Sequence, residues 1–550
     1  MKYASFAALV AFACGSISIL ACTYDLPQIE STGGNGGNGG SGGEPASSNS
    51  SSSGQGGSVS CNEGDVAACS LYNGPEGTQN VGACKASTRV CLPSSTWGPC
   101  SQEVLPSQEK CNDQADSNCD NVPGCNGTFR DVYGASSLQT GQNDLVVAIA
   151  TGNGKNGRDG DIYAVGARDA TGGDPTTGAV PLVWHRDSST AKGQIDDWSS
   201  KFKFSVTNST TNAAVMSGAT VLTTNGDVVF TGTFFGGKLQ IEGQLEMVAT
   251  GDYPSGFLVR MSPTGEVKKV LHLGSNGMGG IEPRTITTDT TGRICIGGRY
   301  VGSPNIGTTS LSATSTSEPD GFVACFSDVF DYEWQATVRG DLVQSVSYIA
   351  TAGTSDIIIA STFTGATTFY TPNKAAPVDA GAETQVMVQR VNRQSGEFVW
   401  NQRMSNSGAA RPIEVGGLAV NGSNVAFAAR YFGQVKLDAV DYTNPDTTTF
   451  ARDSVLVTLD LGGGGVAKHL ALQDMGAQEI RSLAFDSHGT LIVGGTYAGQ
   501  FSLNGQQLGM SNSADGFIAK LDTVRNFTQE LPFRDIILDS VKLTAGIIST

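Results

Sequence analysis

Thr231-Gly232-Thr233-Phe234-Phe235-Gly236 is the first of five copies of one signature: two small residues, Arg or Thr, an aromatic residue, any residue and Gly. The other copies are 297–302, 360–365, 428–433 and 494–499. The aromatic residue recurs at positions 234, 300, 363, 431 and 497, so the copies are separated by 66, 63, 68 and 66 residues. A regular period of this length predicts a repeat architecture in which each repeat is one supersecondary unit.

Each repeat contains four short apolar runs that are typical of β-strands, bounded by turns rich in Gly and Asn. In the last repeat, three of these runs are Ser482–Phe485, Leu491–Val493 and Gly516–Ala519. The fourth run is clearest at Tyr332–Gln335 and Phe398–Asn401 of earlier repeats. A more degenerate copy begins at Gly160, which brings the number of units to six.

Four-stranded antiparallel units that repeat radially predict an all-β fold, a β-propeller of six blades, with seven as the alternative. Strand-like runs at 129–133 and 144–149 precede the first unit, and another at 540–543 follows the sixth. Together these runs could complete one blade, and closing the ring would remove free sheet edges. The repeats resemble the bacterial propeller repeats called SBBP, and the resemblance covers residues 126–550.

One position of the signature is a candidate for ligand contact. Arg299 and Arg430 occupy it in two copies, and Thr occupies it in the others (Thr233, Thr362 and Thr496). If this column faces an axial channel, its side chains could bind a ligand. The alternative is a strand surface whose polar residues face water.

Two cysteines of the third repeat are candidates for a disulfide. Cys295 replaces apolar residues of the sister repeats, namely Val229, Ile358, Ala426 and Ile492. Cys325 replaces polar residues, namely Arg260, Gln389, Thr458 and Lys520. Both cysteines lie on strands of one blade, so they could pair, although Cys295 could instead be simply buried.

Residues 61–125 predict a small disulfide-rich module. They hold eight of the twelve cysteines: Cys61, Cys69, Cys84, Cys91, Cys100, Cys111, Cys119 and Cys125. An even number of cysteines in a small exported segment is typical of a disulfide framework, here of four bonds whose connectivity stays open. Zinc is not favoured, because the segment contains no CxxC pair.

The same module resembles a cysteine-rich, metal-binding (MopE-like) element of surface lipoproteins from myxobacteria. The resemblance lies in Gly74–Thr78, Val81–Cys84, Trp97–Cys100 and Cys111–Asp120. It implies that a metal could be bound by the side-chain oxygens of Asp113, Asp116, Asn118 and Asp120, which suit Ca²⁺. Asn118 stands where Asp is usual and Asn121 where Gly is usual, so the alternative is a polar turn with solvated carboxylates.

The amino terminus predicts export and lipid anchoring. Residues 1–21 combine one Lys with an apolar run too short to span a bilayer comfortably, as in a secretory signal peptide. Ile19-Leu20-Ala21-Cys22 resembles the bacterial lipobox, which implies that acyl chains such as palmitate are attached to Cys22. Residues 22–60 are predicted to be a disordered Gly/Ser tether. The alternative is an ordinary signal peptide or an uncleaved anchor, with Cys22 incidental.

Composition and the search for catalytic motifs limit the function. The chain has 34 Lys and Arg against 51 Asp and Glu, so its formal net charge is −17, which argues against a nucleic-acid partner. No nucleophile elbow is predicted, because the one literal GxSxG match (39–43) lies in the Gly/Ser tether, and the four His residues lack metal-ligand spacing.

We therefore expect an extracytoplasmic lipoprotein that is attached to a membrane by its lipid anchor, at the bacterial outer membrane or cell surface. Its propeller is expected to bind or scaffold an unknown protein or carbohydrate ligand without catalysis, and Ca²⁺ is its one candidate cofactor. One alternative is a propeller enzyme acting on polysaccharide, a lyase or a glycosidase. Another is a calcium- or copper-binding protein that acts through residues 111–125.

Overall fold

The computed structural model describes residues 61–69, 79–80, 83–101, 103–105, 144–152, 161–168, 179–187, 195–206, 213–249, 253–315, 317–406, 412–446, 451–485, 489–503, 506–522, 528–529 and 537–538. The chain divides into two compact units, Met1–Arg130 and Asp131–Thr550. The predicted signal peptide and tether lie outside the described residues. Within those residues, no helix combines the length and the apolar character needed to cross a membrane.

The described part of the first unit is a small antiparallel sheet held by disulfide bonds. Its strands are β1 (Val66–Ala68) and β2 (Thr88–Val90). Cys84 is disulfide-bonded. The bonded pairs that the structure describes are Cys61–Cys91 and Cys69–Cys100. The presence of disulfide bonds in this segment is therefore confirmed, while Cys111, Cys119 and Cys125 lie outside the described residues.

The second unit is all-β, as predicted, and we divide its strands into six successive antiparallel groups, called sheets 1 to 6. Hydrogen bonds between groups also join sheets 3 and 4 and one hairpin of sheet 5 into a single ten-stranded sheet. Sheet 1 consists of β3 (Asp144–Thr151), β4 (Ile162–Arg168), β5 (Val180–Arg186) and β6 (Ile195–Asp197). A 3-10 helix (Trp198–Lys201) and β7 (Phe202–Val206) follow it. Because β3 pairs with β4, residues 144–149 complete sheet 1 itself and are not left over for a blade shared with the other end of the chain.

Sheets 2 and 3 each insert a short hairpin between their second and third strands. Sheet 2 comprises β8 (Ala213–Val221), β9 (Val228–Phe235), the hairpin β10 (Gly237–Ile241) and β11 (Met247–Val248), then β12 (Ser255–Met261) and β13 (Val267–Leu273). Sheet 3 comprises β14 (Gly279–Thr288), β15 (Ile294–Gly302), the hairpin β16 (Asn305–Ile306) and β17 (Thr309–Ser310), then β18 (Asp320–Phe326) and β19 (Tyr332–Gly340).

Sheets 4 to 6 follow the same plan, except that in sheets 4 and 6 the hairpin is a continuation of the long second and third strands. Sheet 4 comprises β20 (Gln344–Ala352), β21 (Asp356–Tyr370), β22 (Ala375–Asn392) and β23 (Phe398–Asn406). Sheet 5 comprises β24 (Glu414–Asn421), β25 (Asn424–Tyr431), the hairpin β26 (Gln434–Leu437) and β27 (Val440–Thr443), then β28 (Asp453–Asp460) and β29 (Val466–Leu472). Sheet 6 comprises β30 (Gly476–Phe485), β31 (Leu491–Leu503), β32 (Gln506–Asp522) and two short strands on β32, β33 (Thr528–Gln529) and β34 (Ile537–Leu538).

The first strands of successive sheets, which we call the inner strands, pack side by side in chain order from β3 to β30. They also run in the same direction, as contacts between β8 and β14, between β14 and β20 and between β24 and β30 show. The Ser217 hydroxyl donates to the Pro283 carbonyl (2.6 Å), and the Thr223 hydroxyl donates to the Asp289 carbonyl (3.0 Å). Corresponding ends of these strands therefore lie at the same end of the unit. No closed ring is detected among the described residues.

Every inner strand contains a bulge at the same place. The residues that the bulges leave unpaired are Val147, Ser217, Arg284, Ser347, Gly416 and Arg481. The bulge brings the inner backbone close to the second residue of the signature, since a Cβ at Gly298 would lie 2.0 Å from the Glu282 carbonyl oxygen. The small residues of the signature are thus required by close backbone approach, and the bulge re-aims one side chain per sheet.

Arginines on the third strands tie one sheet to the next. Arg260 Nη1 donates to the Asp328 carbonyl of sheet 3, and Arg390 Nη1 donates to the Leu461 carbonyl of sheet 5, both at 2.6 Å. Through Nε, each donates to a carboxylate at the first turn of its own sheet, Asp227 and Asp356 respectively. The same type of link therefore joins sheet 2 to sheet 3 and sheet 4 to sheet 5.

Cys295 and Cys325 form a disulfide between directly opposed positions of β15 and β18. Of the two sequence interpretations of Cys295, the disulfide is therefore the correct one. The sequence alignment of the Cys325 column was wrong in one repeat, because Arg390 and not Gln389 lies opposite Ile358 in sheet 4. Repeat 4 lacks the Gly or Ser that marks the start of the third strand elsewhere, so its register could not be counted from the sequence.

Gly464, in the turn between β28 and β29, has φ +72°, and a Cβ there would lie 2.6 Å from the Trp400 ring. We expect Gly464→Ala to lower the free energy of unfolding by about 1–3 kcal/mol, because Ala is strained at this φ and displaces the indole. Gly465→Ala is the matched control, since a Cβ there meets nothing within 4 Å. Urea unfolding checks this, and equal losses in the two variants would contradict it.

Candidate functional site

The residues that the sequence selected for lipidation and metal binding lie outside the described residues. They are Cys22, Asp113, Asp116, Asn118 and Asp120. In the part of the chain that the structure describes, no group of three or more His, Cys, Asp or Glu side chains is arranged to hold a metal ion. The signature column is the predicted functional feature that the structure does describe.

In sheet 3 the residue of the signature column, Arg299, forms a buried ion pair. Arg299 lies opposite Glu282 and donates to it through Nε (2.9 Å) and Nη2 (3.0 Å). Burial acts to raise the pKa of Glu282, but the positive charges of Arg299 and Arg284 outweigh it and hold that pKa below its ordinary value. Because Arg299 is only 3% exposed, its role is to hold the two strands together rather than to contact a ligand.

In sheet 5 the residue of the signature column, Arg430, belongs to a set of five charged residues from sheets 5 and 6. We call this set the arginine cluster: Arg430, Arg452, Arg481, Glu414 and Glu479. Arg430 donates through Nη2 to Glu414 Oε2 (2.8 Å) and through Nη1 to Glu479 Oε2 (3.1 Å). Arg452 Nη1 donates to Glu414 Oε2 (3.0 Å), and Arg481 Nη2 donates to Glu479 Oε2 (2.8 Å). The two glutamates lie on adjacent inner strands, β24 and β30, so one charge network joins two sheets.

Backbone bulges position the accessible side of the cluster. Arg481 is the bulged residue of β30, and its side chain is 27% exposed. Burial lowers the pKa of Arg481, while the carboxylate of Glu479 opposes that shift. The Tyr348 hydroxyl of sheet 4 lies 3.3 Å from the carbonyl oxygens of both Gly416 and Arg481 and can donate to either. Burial raises the pKa of Tyr348, so this hydroxyl stays protonated.

The arginine cluster has the chemistry of an anion-binding site. Three guanidinium groups face two carboxylates, which leaves one positive charge in excess. Among the described residues, Nε of Arg430 is buried and has no hydrogen-bond partner. Guanidinium groups bind carboxylates, sulfates and phosphates with paired, charge-assisted hydrogen bonds. In a chain with a net charge of −17, this local excess favours an anionic ligand.

Exposed apolar side chains lie at the same end of the unit. Met278, Leu342 and Met475 are 65%, 43% and 61% exposed, and each lies just before an inner strand. Because the inner strands run in one direction, these residues share the end of the unit at which Glu414 begins β24.

The sequence reasoning found Arg430 but missed its partners. The available signal was a Glu-x-Arg pattern at the same place in two repeats, Glu282-Pro283-Arg284 and Glu479-Ile480-Arg481. Arg452 carries no such signal, because it precedes β28 and reaches Glu414 only through the fold.

The comparisons with known proteins assign no family. No family model matches the chain, and no curated protein matches it. Among solved structures, the chain is similar to a protein of unknown function from Bacteroides caccae, with 10% sequence identity and a TM-score of 0.28. The alignment covers 71% of this chain and 91% of that one.

Proposed function

We propose that this protein is an extracytoplasmic, lipid-anchored binding protein without catalytic activity. Its arginine cluster would receive an anionic group of a protein or carbohydrate ligand. The observation that carries the proposal is the excess of guanidinium groups over carboxylates in a partly exposed cluster on adjacent inner strands. Disulfides in both compact units are consistent with an oxidising compartment, and the lipobox-like Cys22 supports anchoring at the outer membrane or cell surface.

We also infer that the six sheets are the blades of a six-bladed propeller. The support is the common direction and the successive packing of the inner strands, since a radial arrangement places such strands around one axis. A cysteine pair that links sheet 1 to sheet 6 would test the closure. If the ring is closed, we expect this disulfide bond to form without loss of stability.

The environment of the two glutamates supports binding rather than polysaccharide cleavage. A glycosidase needs one carboxyl group that gives up a proton and a second that acts as base or nucleophile. Glu414 and Glu479 each accept hydrogen bonds from two guanidinium groups. Both side chains are therefore already engaged as anionic acceptors.

The proposal predicts selective binding of anionic polymers. We expect the protein to bind polygalacturonate or dextran sulfate and not neutral dextran, measured by titration calorimetry at fixed ionic strength. Arg481→Gln should weaken this binding about 10- to 100-fold, the loss expected for one charge-assisted contact.

Arg293→Gln is the matched control, because Arg293 is 32% exposed and lies at the opposite ends of the inner strands. It should leave the affinity unchanged. Failure to bind either anionic polymer, or equal losses in the two variants, would reject the arginine cluster as the binding site.

A further inference from the structure

Asp453, the first residue of β28, carries a buried carboxylate that nothing in the described chain neutralises. The residue is 0% exposed and lies opposite Tyr431, the signature aromatic of sheet 5. Within the part of the chain that the structure describes, neither Oδ1 nor Oδ2 has a hydrogen-bond partner. Burying a carboxylate without donors or a counter-charge is costly, so this position needs a compensating group.

The corresponding residue of sheet 3 shows how the same position is normally satisfied. Asp320 begins β18 opposite Tyr300, just as Asp453 begins β28 opposite Tyr431. Asp320 Oδ2 accepts from the Thr314 backbone N–H (2.7 Å), and Oδ1 accepts from the Gly340 backbone N–H (3.0 Å). A buried Asp in this column is therefore compatible with the fold when backbone donors surround it.

Two replacements remove this compensation in sheet 5. The pair Gly321–Val338 of sheet 3 corresponds to the pair Ser454–Leu472 of sheet 5. Counting on from these pairs, Gln473 of sheet 5 corresponds to Arg339 of sheet 3, and Asp474 corresponds to Gly340. Sheet 5 therefore has the neutral amide of Gln473 in place of the Arg339 cation, and the carboxylate of Asp474 in place of Gly340. The Asp474 backbone N–H donates to Gln478 instead (3.1 Å).

The charges that shift the pKa of Asp453 are negative. Burial is the main cause that raises its pKa, from 3.8 to about 8, and the carboxylates of Asp474 and Asp446 add to the effect. The Tyr431 hydroxyl is also close, since the charge of Asp453 contributes to raising its pKa. It accepts from the Gln473 side-chain amide (3.0 Å) and, among the described residues, makes no hydrogen bond to either oxygen of Asp453. Such surroundings favour a cation over an anion.

We propose that Asp453 is the direct ligand of a divalent metal cation, Ca²⁺, with Asp446 and Asp474 supplying charge through its water shell. The oxygen-only surroundings suit a hard cation that tolerates several waters. The outer-shell role of the two neighbours follows because no three acidic side chains of the described residues are close enough to share one ion directly. A site with one direct carboxylate belongs to the weak range, about 10⁻⁴–10⁻³ M.

The test is the melting temperature of the full-length protein with calcium raised to about 10 mM, above the range expected for such a site, against an EDTA baseline. The wild type should melt at higher temperature as calcium rises, and Asp453→Asn should show no response. Asp320→Asn is the matched control from the same column and should keep the response. Asp116→Asn should keep it as well, which separates this site from the calcium site predicted in the cysteine-rich module.

The pH dependence gives a second readout. Because the pKa of Asp453 is raised on folding, stability without calcium should fall as the pH rises from about 4 to about 8, and this fall should be smaller in Asp453→Asn. A proton competes with the cation, so the calcium response of the wild type should be larger at pH 9 than at pH 6. A wild type that does not respond to calcium, or a response that survives in Asp453→Asn, would overturn the proposal.

Discussion

Glu282→Gln is expected to lower the free energy of unfolding by about 3–5 kcal/mol, the usual cost of removing one partner from a buried ion pair. The substitution keeps the size of the side chain but removes the charge that Arg299, itself only 3% exposed, is paired with. Urea unfolding followed by tryptophan fluorescence measures the loss. Glu266→Gln, which breaks the exposed pair with Lys268, should cost less than about 1 kcal/mol.

The repeat itself supplies a rescue variant. In sheet 2 the same register position holds Val215 opposite Thr233. The double variant Glu282→Val with Arg299→Thr installs that natural pair, and it should recover most of the stability lost in Glu282→Gln, because neither partner is left charged and buried. A double variant as unstable as the single one would show that packing, and not charge pairing, dominates at this position.

The same pair predicts a loss of stability in acid. The pKa of Glu282 is lowered on folding, so its contribution is fully present above the pKa of the unfolded carboxyl group. The contribution is lost as the pH falls through the folded-state pKa. The difference in stability between wild type and Glu282→Gln should therefore shrink below about pH 4.

Removing the Cys295–Cys325 bond is expected to lower the free energy of unfolding by about 3–4 kcal/mol, because the bond closes a loop of 30 residues in the unfolded chain. The variant Cys295→Ala with Cys325→Thr isolates this effect. It replaces the two cysteines with Ala and Thr, the residues that lie directly opposite each other at the equivalent positions of sheet 5, Ala426 and Thr458. Urea unfolding measures the loss.

Dithiothreitol supplies the control for this prediction. In the unfolding experiment it should bring the wild type close to the double variant. The disulfides of the first unit are present in both proteins, so their reduction shifts both alike. A wild type and a double variant of equal stability without reductant would show that the bond does not restrain the unfolded chain.

The sequence predicted the strands and their grouping well, because both depend on local patterns. Alternation of apolar residues and Gly-rich turns repeats in every unit, so the all-β class and the four-strand plan could be read from five copies of one signature. Register was harder to predict. Gln389 was placed in a column that Arg390 occupies, since no marker in repeat 4 fixes the start of β22.

Charged residues of similar pattern have different roles, and sequence comparison did not separate them. Arg299 and Arg430 share one column, but one is closed in a buried pair and the other belongs to an open cluster. Asp320 and Asp453 also share a column, but backbone donors satisfy only the first of them. The difference lies in neighbours from other strands, which the column itself does not contain.

By itself, the sequence determined the strand pattern, the repeat and the small residues of the signature, because each of these follows from contacts within one unit. Only the tertiary structure decided which charges meet. Arg430 and Glu479 are 49 residues apart and belong to different sheets. They come together because inner strands that run in one direction pack side by side, so that β30, which carries Glu479, lies against β24 and β25.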